Sequence, residues 1–148
     1  MGQRSHRVNH IGMSVRNLDR SLAFYQSVFG VEPINVGVDS GPGLSGQTGL
    51  EDARIRFATV STGSIEIELI EYEHPRGENF ERAHCDVGTT HICFEVADIE
   101  ASYTELLAKG LPLGGPPVRL GEHEGQYAGY GYVYLKDPDG IPLELIGR

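Results

Sequence analysis

The sequence predicts an α+β fold built from two tandem βαβββ modules. One observation is a repeated segment, because residues 10–21 read HIGMSVRNLDRS and residues 91–102 read HICFEVADIEAS. A second is a repeated ending, because IEIELI at residues 65–70 returns as IPLELI at residues 141–146. Internal similarity of this kind indicates that each copy is one supersecondary unit. Each copy runs from a strand that begins with histidine to a strand that contains glutamate.

The first module opens with a strand and a helix. Val8–Val15 alternates apolar and polar residues, as a half-buried strand does. Asn17 is a typical N-cap residue, and Leu18–Phe29 places apolar residues three or four apart on one helix face. Gly30 supplies the left-handed conformation that commonly ends a helix. The pattern predicts a helix packed on one face of the strand.

The second module repeats this order of elements. His91–Val96 is the strand, Asp98 the N-cap, Ala101–Lys109 the helix and Gly110 its end. Three short apolar segments follow each helix and are expected to be strands. In chain order they are Ile34–Val38, Ile55–Ser61, Ile65–Tyr72, Val118–Leu120, Gly131–Lys136 and Leu143–Ile146.

The two modules are expected to form a single domain over residues 1–148, with module one at about 6–73 and module two at about 88–148. Polar residues 73–90 connect them. Residues 40–49 (SGPGLSGQTG) are rich in glycine and lack apolar periodicity, so we expect a mobile loop there. This segment lacks the GxxxxGK(S/T) pattern of a phosphate-binding loop.

Composition limits the partners of the chain. It has 148 residues, a formal net charge of −9 at pH 7 and a sequence pI of about 5.0. That charge repels a phosphate backbone, so we expect no nucleic-acid partner. No apolar run reaches the roughly 18 residues of a membrane span, and the N-terminus lacks the apolar stretch of a secretory signal. We expect a cytoplasmic protein with two free thiols, Cys85 and Cys93, the latter in a buried strand.

Histidine and glutamate recur on matching strands of the two modules. Side chains alternate along a strand, so His10 and His91 lie opposite the apolar residues that pack under each helix. The closing strand of module one places Glu66 and Glu68 on the face that is free of its helix, and the closing strand of module two places Glu144 on the equivalent face. If the modules curl toward each other, these faces bring two imidazoles and two carboxylates together.

Such a donor set suits Zn²⁺, Ni²⁺, Co²⁺, Fe²⁺ or Mn²⁺, and it is too rich in nitrogen for Ca²⁺ or Mg²⁺. Four protein ligands on an octahedral ion leave two positions for water or two substrate oxygens. Taken singly, a histidine that begins a strand is more often a packed or capping residue, and a glutamate between apolar residues more often faces solvent. Recurrence at equivalent places in both copies favours a metal site.

Three segments carry a family resemblance: VNHIGMSVRNLDRSLAFYQSVFGV, HICFEVADIEASYTELLAKG and GYVYLKDPDGIPLELI. Over almost its whole length the chain resembles the vicinal-oxygen-chelate superfamily of glyoxalases, bleomycin resistance proteins and extradiol dioxygenases. It is most similar to the glyoxalase I and methylmalonyl-CoA epimerase branch. The resemblance implies one open, curved, mixed sheet around a metal. It places the ligands at His10, Glu68, His91 and Glu144, with Glu66 as the alternative to Glu68.

The resemblance also implies a chemistry. It implies a metal-dependent lyase, isomerase or epimerase that enolises a small carbonyl or acyl substrate chelated to the ion. Glu144 is the first candidate for the catalytic base. Glu51 is the second, because GLEDARIRFATV is similar to the epimerase region that supplies another carboxylate, although an exposed loop acid fits Glu51 too. Ser14 and Tyr72 stand where bacterial glyoxalase I has the arginine and asparagine that hold glutathione, so glutathione is not expected as substrate.

Two other functions stay open within the family. One is a metal-independent antibiotic-binding protein of the bleomycin-resistance type, although such relatives usually lack the metal ligands. The other is a dioxygenase, whose ligand set is two histidines and one glutamate. By analogy with the family we expect a homodimer that acts on a small molecule.

The remaining histidines and the tyrosines near the second glutamate strand are expected to be peripheral. The histidines lie in polar segments and are expected to be solvated, although His123 is a candidate for the edge of the site. The tyrosines are expected to pack in the core or border the pocket. These residues are His6, His74, His84, His123, Tyr127, Tyr130, Tyr132 and Tyr134.

Overall fold

The computed structural model describes residues 6–79 and 81–148. The chain divides into two compact units, Met1–Asn79 and Phe80–Arg148. Each unit contains its own four-stranded mixed sheet, and the tandem βαβββ arrangement is confirmed. No helix in the described residues is long and apolar enough to cross a membrane.

The first unit contains four strands and two helices. In chain order they are β1 (His10–Ser14), α1 (Leu18–Phe29), β2 (Pro33–Ser40), α2 (Pro42–Thr48), β3 (Arg54–Ser61) and β4 (Glu66–His74). The strands lie in the order β1-β4-β3-β2. β1 is parallel to β4, and the other neighbours are antiparallel. The first and last strands of the repeat are therefore hydrogen-bonded partners.

The second unit repeats this topology. Its elements are β5 (Ile92–Val96), α3 (Ile99–Ala108), β6 (Val118–Arg119), a 3₁₀ helix (Glu122–Tyr127), β7 (Gly131–Lys136) and β8 (Pro142–Gly147). The strand order is β5-β8-β7-β6, with β5 parallel to β8. Most ends lie within two residues of the predicted ones, and α1 and β7 have the predicted bounds.

Helix α1 is fixed at both ends and along one face. The Asn17 side chain accepts the Arg20 backbone N–H at 2.8 Å, and Gly30 ends the helix at φ 64°. Leu18 and Tyr25 of α1 and Ile67 of β4 are fully buried, and α1 packs on β3 and β4. Burying such large side chains is the main force that holds helix and sheet together, at about 25 cal/mol per Å² of apolar surface. The helix thereby covers one face of the sheet.

Helix α3 repeats the same attachment in the second unit. Asp98 accepts the Ala101 N–H at 3.0 Å, and the first helical N–H, that of Ile99, donates to the Arg148 carbonyl at 3.0 Å. The closing strand is close here, because a Cβ added at Gly147 would collide with the Val96 carbonyl. Each unit thus has one covered sheet face and one face free of its helix.

Two expectations about local structure are wrong. Residues 40–49 are not a loop without structure, because Pro42–Thr48 form helix α2 between Gly41 at φ 103° and Gly49 at φ 69°. Proline suits the first turn of a helix and glycine its end, so the local signals were present although an apolar period was absent. Cys93 is exposed rather than buried, because its position on β5 faces away from α3. Cys85 and Cys93 are both free thiols, as expected.

Candidate functional site

In the first unit, His10 on β1 lies beside Glu68 on β4. Their Nε2 and Oε2 atoms are 3.6 Å apart. In the strand register His10 is level with Glu66, and Gly12 is level with Glu68. Although Glu66 is level with His10, the 3.6 Å distance shows that His10 lies beside Glu68, two positions further along β4.

The second unit has the same pair in the same register. The His91 Nε2 and Glu144 Oε2 atoms are 2.9 Å apart. Ile92 is level with Leu143, so Glu144 again lies two positions beyond the residue level with the histidine. Both pairs lie on the face that their helix leaves free, as strand alternation predicted. The sequence repeat is thus also a repeat of side-chain geometry.

One of the two imidazoles has a neighbour that sets its tautomer. The His10 Nδ1–H donates to Asn9 Oδ1 at 2.8 Å, so Nε2 is the ring nitrogen that faces the Glu68 carboxylate. A proton or a cation between this nitrogen and the carboxylate stabilises the pair. Hydrogen bonding of the distal ring nitrogen is typical of histidines that bind metals.

The donor distances fit a divalent ion. Two donors that each bind one ion at about 2.1 Å stand about 3.0 Å apart in octahedral geometry and about 3.4 Å apart in tetrahedral geometry. The separations of 2.9 and 3.6 Å lie near these values. Over residues 6–79 and 81–148, no group of three or more His, Cys, Asp or Glu side chains is arranged to hold a metal ion. The set of His10, Glu68, His91 and Glu144 as ligands of one ion therefore stays a prediction.

Glu144 has two further polar neighbours that the sequence did not single out as site residues. Cys93 on β5 and Tyr134 on β7 are both level with it, one on each side. The thiol and the phenol are protic groups on the strands that flank Glu144, and both interact electrostatically with its carboxylate. Cys93 is exposed as a residue, but partial burial of its sulfur raises the pKa of the thiol to about 11, and the negative charge of Glu144 adds to this effect. Burial and the same carboxylate also raise the pKa of Tyr134.

Tyr134 is itself surrounded by aromatic rings. The His84 ring meets it edge-on at 4.9 Å between centroids, and the His91 ring does so at 5.5 Å. Tyr132, two residues earlier on β7, lies 5.8 Å away. His84 is exposed, as predicted, but it also contacts the residue that reaches Glu144. The signal in the sequence was the hairpin KDPDG, which sets Tyr134 opposite Glu144.

Glu51, the second predicted base, lies in a different part of the first unit. It lines an open cavity of about 710 Å³ together with Asp52, Arg54 and His74. The His74 Nδ1–H donates to the Asp52 carbonyl at 3.1 Å. Arg54 and His74 are level with each other at the ends of β3 and β4, so the cavity lies at that end of β4. His74 is six residues from Glu68, which is about 20 Å in an extended strand.

Comparison with curated proteins finds relatives along nearly the whole chain. The mitochondrial methylmalonyl-CoA epimerase of Dictyostelium discoideum is 32% identical over 147 residues, which cover 94% of this chain and 76% of the relative. A 2-epi-5-epi-valiolone epimerase from an Actinomyces species is 30% identical over 144 residues, covering 94% of this chain and 78% of the relative. Both relatives are named as epimerases.

Solved structures share the fold. A glyoxalase family protein from Bacillus cereus superposes with a TM-score of 0.83 at 22% identity, over 98% of this chain and 95% of that one. The fosfomycin resistance protein FosX from Listeria monocytogenes, solved with Mn(II) and sulfate, superposes with a TM-score of 0.60 at 19% identity, over 96% and 92% of the chains. A family model for the glyoxalase/bleomycin resistance protein/dioxygenase superfamily matches residues 7–145. The chain belongs to that superfamily, the vicinal-oxygen-chelate superfamily that its repeated segments indicated.

Proposed function

We propose that this protein is a metal-dependent isomerase of the epimerase type, which moves a proton at a carbon next to the carbonyl of a small acyl or carbonyl compound. The observation that carries the proposal is the imidazole–carboxylate pair found at the same register in both units. The similarity to two epimerases supports the class of reaction. A lyase of the glyoxalase type is less well supported, because Ser14 and Tyr72 replace the residues that hold glutathione there.

His10, Glu68, His91 and Glu144 would hold the metal. Zn²⁺, Ni²⁺, Co²⁺, Fe²⁺ and Mn²⁺ all suit two imidazoles with two carboxylates. When bound, such an ion acts as a Lewis acid that stabilises the negative charge developing on the oxygens of the substrate.

The carboxylates of the chain move the proton. Glu144 accepts it from the carbon next to the carbonyl, and a second acid returns a proton to the opposite face of that carbon. Glu51 does not meet the requirement for that second acid in this geometry, because the cavity that it lines begins about 20 Å along β4 from Glu68. One proton leaves the carbon and one is returned, and exchange with water restores both carboxyl groups. Glu144 is only 13% exposed, so its contact with bulk water is limited.

Calorimetry with Ni²⁺, Co²⁺ and Zn²⁺ on protein stripped by a chelator tests the metal site. We expect about one ion per chain, and we expect His10→Ala and His91→Ala each to weaken binding at least tenfold. His123→Ala is the matched control, because that imidazole is 82% exposed and lies 3.0 Å from its neighbour Glu124. Wild-type protein that takes up none of the three ions would contradict the proposal.

Proton transfer is tested separately with methylmalonyl-CoA in D₂O, with proton exchange at carbon 2 followed by NMR. We expect exchange that requires metal and is lost in Glu144→Gln. Metal uptake without exchange would exclude this acyl-CoA while leaving the metal centre intact. Tight binding of bleomycin that EDTA does not affect would instead favour an antibiotic-binding role.

A further inference from the structure

The two glutamates of the predicted metal site have different surroundings. Glu144 stands between two residues that are level with it, Cys93 on β5 and Tyr134 on β7. Both carry a protic group directly across the ladder from Glu144, where opposite Cβ atoms lie about 4.5–5.5 Å apart. Glu144 also faces the His91 Nε2 at 2.9 Å. Three side chains therefore converge on this carboxylate: Cys93 from β5, Tyr134 from β7 and His91 from the position just before β5.

Glu68 lacks this arrangement. By the same register, its neighbours on β1 and β3 are Gly12 and Thr59. Gly12 has no side chain, and the hydroxyl of Thr59 stands on its own Cβ, so it reaches less far than a phenol. The His10 Nε2 lies 3.6 Å from Glu68, against 2.9 Å in the other pair. The Glu68 side chain is also 26% exposed, twice the fraction for Glu144.

The ring of Tyr134 is held in place by its own contacts. His84, His91 and Tyr132 pack edge-on around it, with centroids 4.9 to 5.8 Å away. His84 comes from a segment that is itself fixed, because the Ala83 N–H donates to Asp86 Oδ2 at 2.8 Å. A phenol whose ring is fixed loses little further entropy when it donates to a carboxylate.

We propose that Tyr134 and Cys93 are positioning residues that fix the carboxylate of Glu144 from both neighbouring strands, while Glu68 has no such pair. The effect of this positioning on metal binding and catalysis rests on the proposed function, in which Glu144 is both the candidate base and a candidate ligand. Groups around a metal-binding carboxylate orient it, and removing them typically weakens metal binding or activity by about 10- to 100-fold. Fixing one carboxylate and not the other gives the two halves different roles.

Four variants test the proposal in two assays. Tyr134→Phe and Cys93→Ala each remove one donor, and Cys93→Ser restores one on the same strand. Tyr132→Phe is the matched control, because it removes a phenol from the same face of β7 while its partner across the ladder is Ile146. The tyrosine variants keep the ring, and the Cys93 variants change a small side chain at an exposed position, so we expect all four to fold.

The first assay is Co²⁺ binding, measured by calorimetry and by the visible absorption of the bound ion. We expect Tyr134→Phe to weaken binding about tenfold and Cys93→Ala several-fold, each with a changed absorption spectrum. Cys93→Ser recovers most of the loss, and Tyr132→Phe stays within twofold of wild type. Loss of a merely structural contact would not change the spectrum of the ion or be rescued by serine.

The second assay needs no metal. Crystal structures of metal-free wild type and of Tyr134→Phe/Cys93→Ala are compared for the rotamer of Glu144. We expect one rotamer in the wild type and several in the double variant, with Glu68 unchanged. If Glu144 keeps one rotamer and Co²⁺ binds all variants as it binds the wild type, the inference is overturned. If the wild type binds no Co²⁺ but Glu144 still becomes disordered in the double variant, the positioning role stands and the proposed function fails.

Discussion

Glu71 joins helix α1 to β4, the strand that carries Glu68, and its removal tests how the first unit holds that strand in place. Its Oε2 accepts the Leu18 backbone N–H at 2.9 Å, and its side chain is 7% exposed. Arg56 and Arg76 approach the carboxylate to 3.5 and 3.7 Å. These arginine pairs add little, because both guanidinium groups reach solvent. The main loss in Glu71→Ala is therefore a buried N–H without an acceptor.

The size of that loss follows from the hydrogen bond. A hydrogen bond to a charged group contributes about 1.5–3 kcal/mol, and leaving its buried donor unpaired costs a similar amount. We expect Glu71→Ala to lower the free energy of unfolding by about 2–3 kcal/mol. Glu71→Gln keeps an acceptor oxygen and loses only the charge, so we expect about 1 kcal/mol. Arg56 keeps its partner Asp19 at 2.9 Å in both variants.

Urea unfolding followed by circular dichroism at pH 7 measures these differences. Glu73→Gln, an exposed position on the same strand, is the control and should change the free energy of unfolding by less than about 0.5 kcal/mol. If Glu71→Ala were as stable as the control, or if alanine and glutamine were equivalent, the attachment of α1 through this carboxylate would be refuted.

Three further predictions concern the second unit and the metal. The pKa of Cys93 is raised to about 11, so its thiol is protonated at pH 8. In metal-free protein we therefore expect iodoacetamide to modify Cys93 more slowly than Cys85. We also expect the rate at Cys93 to rise with pH up to about 11. Equal rates, read by mass spectrometry, would contradict this. Gly147→Ala places a Cβ against backbone and should cost about 1–3 kcal/mol or more by thermal unfolding; an unchanged Tm would count against the close approach of β5 and β8. Saturating Ni²⁺ should raise the Tm of wild type and of His74→Ala but not of His91→Ala, and an equal rise in all three would remove His91 from the site.

Local signals were sufficient to predict the elements of each unit. Asn17 caps α1 and Gly30 ends it. Both act on backbone groups that are close in the sequence, so the sequence alone was sufficient to predict them. Strand alternation likewise predicted that His10 and Glu68 share a face. It could not choose between Glu66 and Glu68, because both lie on that face and the choice depends on where the His10 side chain reaches across to β4, where its Nε2 lies 3.6 Å from Glu68.

The surroundings of Glu144 also depend on pairing between strands, of which only the β7–β8 turn KDPDG is visible in the sequence. Tyr134 reads as one of several alternating tyrosines until the β7–β8 register sets it level with Glu144. His84 lies in a polar segment whose path is fixed by hydrogen bonds between residues such as Ala83 and Asp86, and no periodic pattern describes that path. Contacts between elements, rather than the elements themselves, decide which polar residues belong to a site.

The repeat explains why both units carry a His–Glu pair, and the departures from the repeat bear on what each pair does. Two equal modules would give two equivalent carboxylates, yet an epimerisation needs one group to take a proton from one face of a carbon and another to act on the opposite face. In the second unit Cys93 and Tyr134 surround Glu144, whereas in the first Gly12 and Thr59 hold the equivalent places. A carboxylate with fixed donors keeps one orientation, which is what proton transfer to a defined carbon requires. Under the proposed function, the divergence of these neighbours, more than the shared His–Glu pair, favours Glu144 over Glu68 as the group that takes the proton from the carbon.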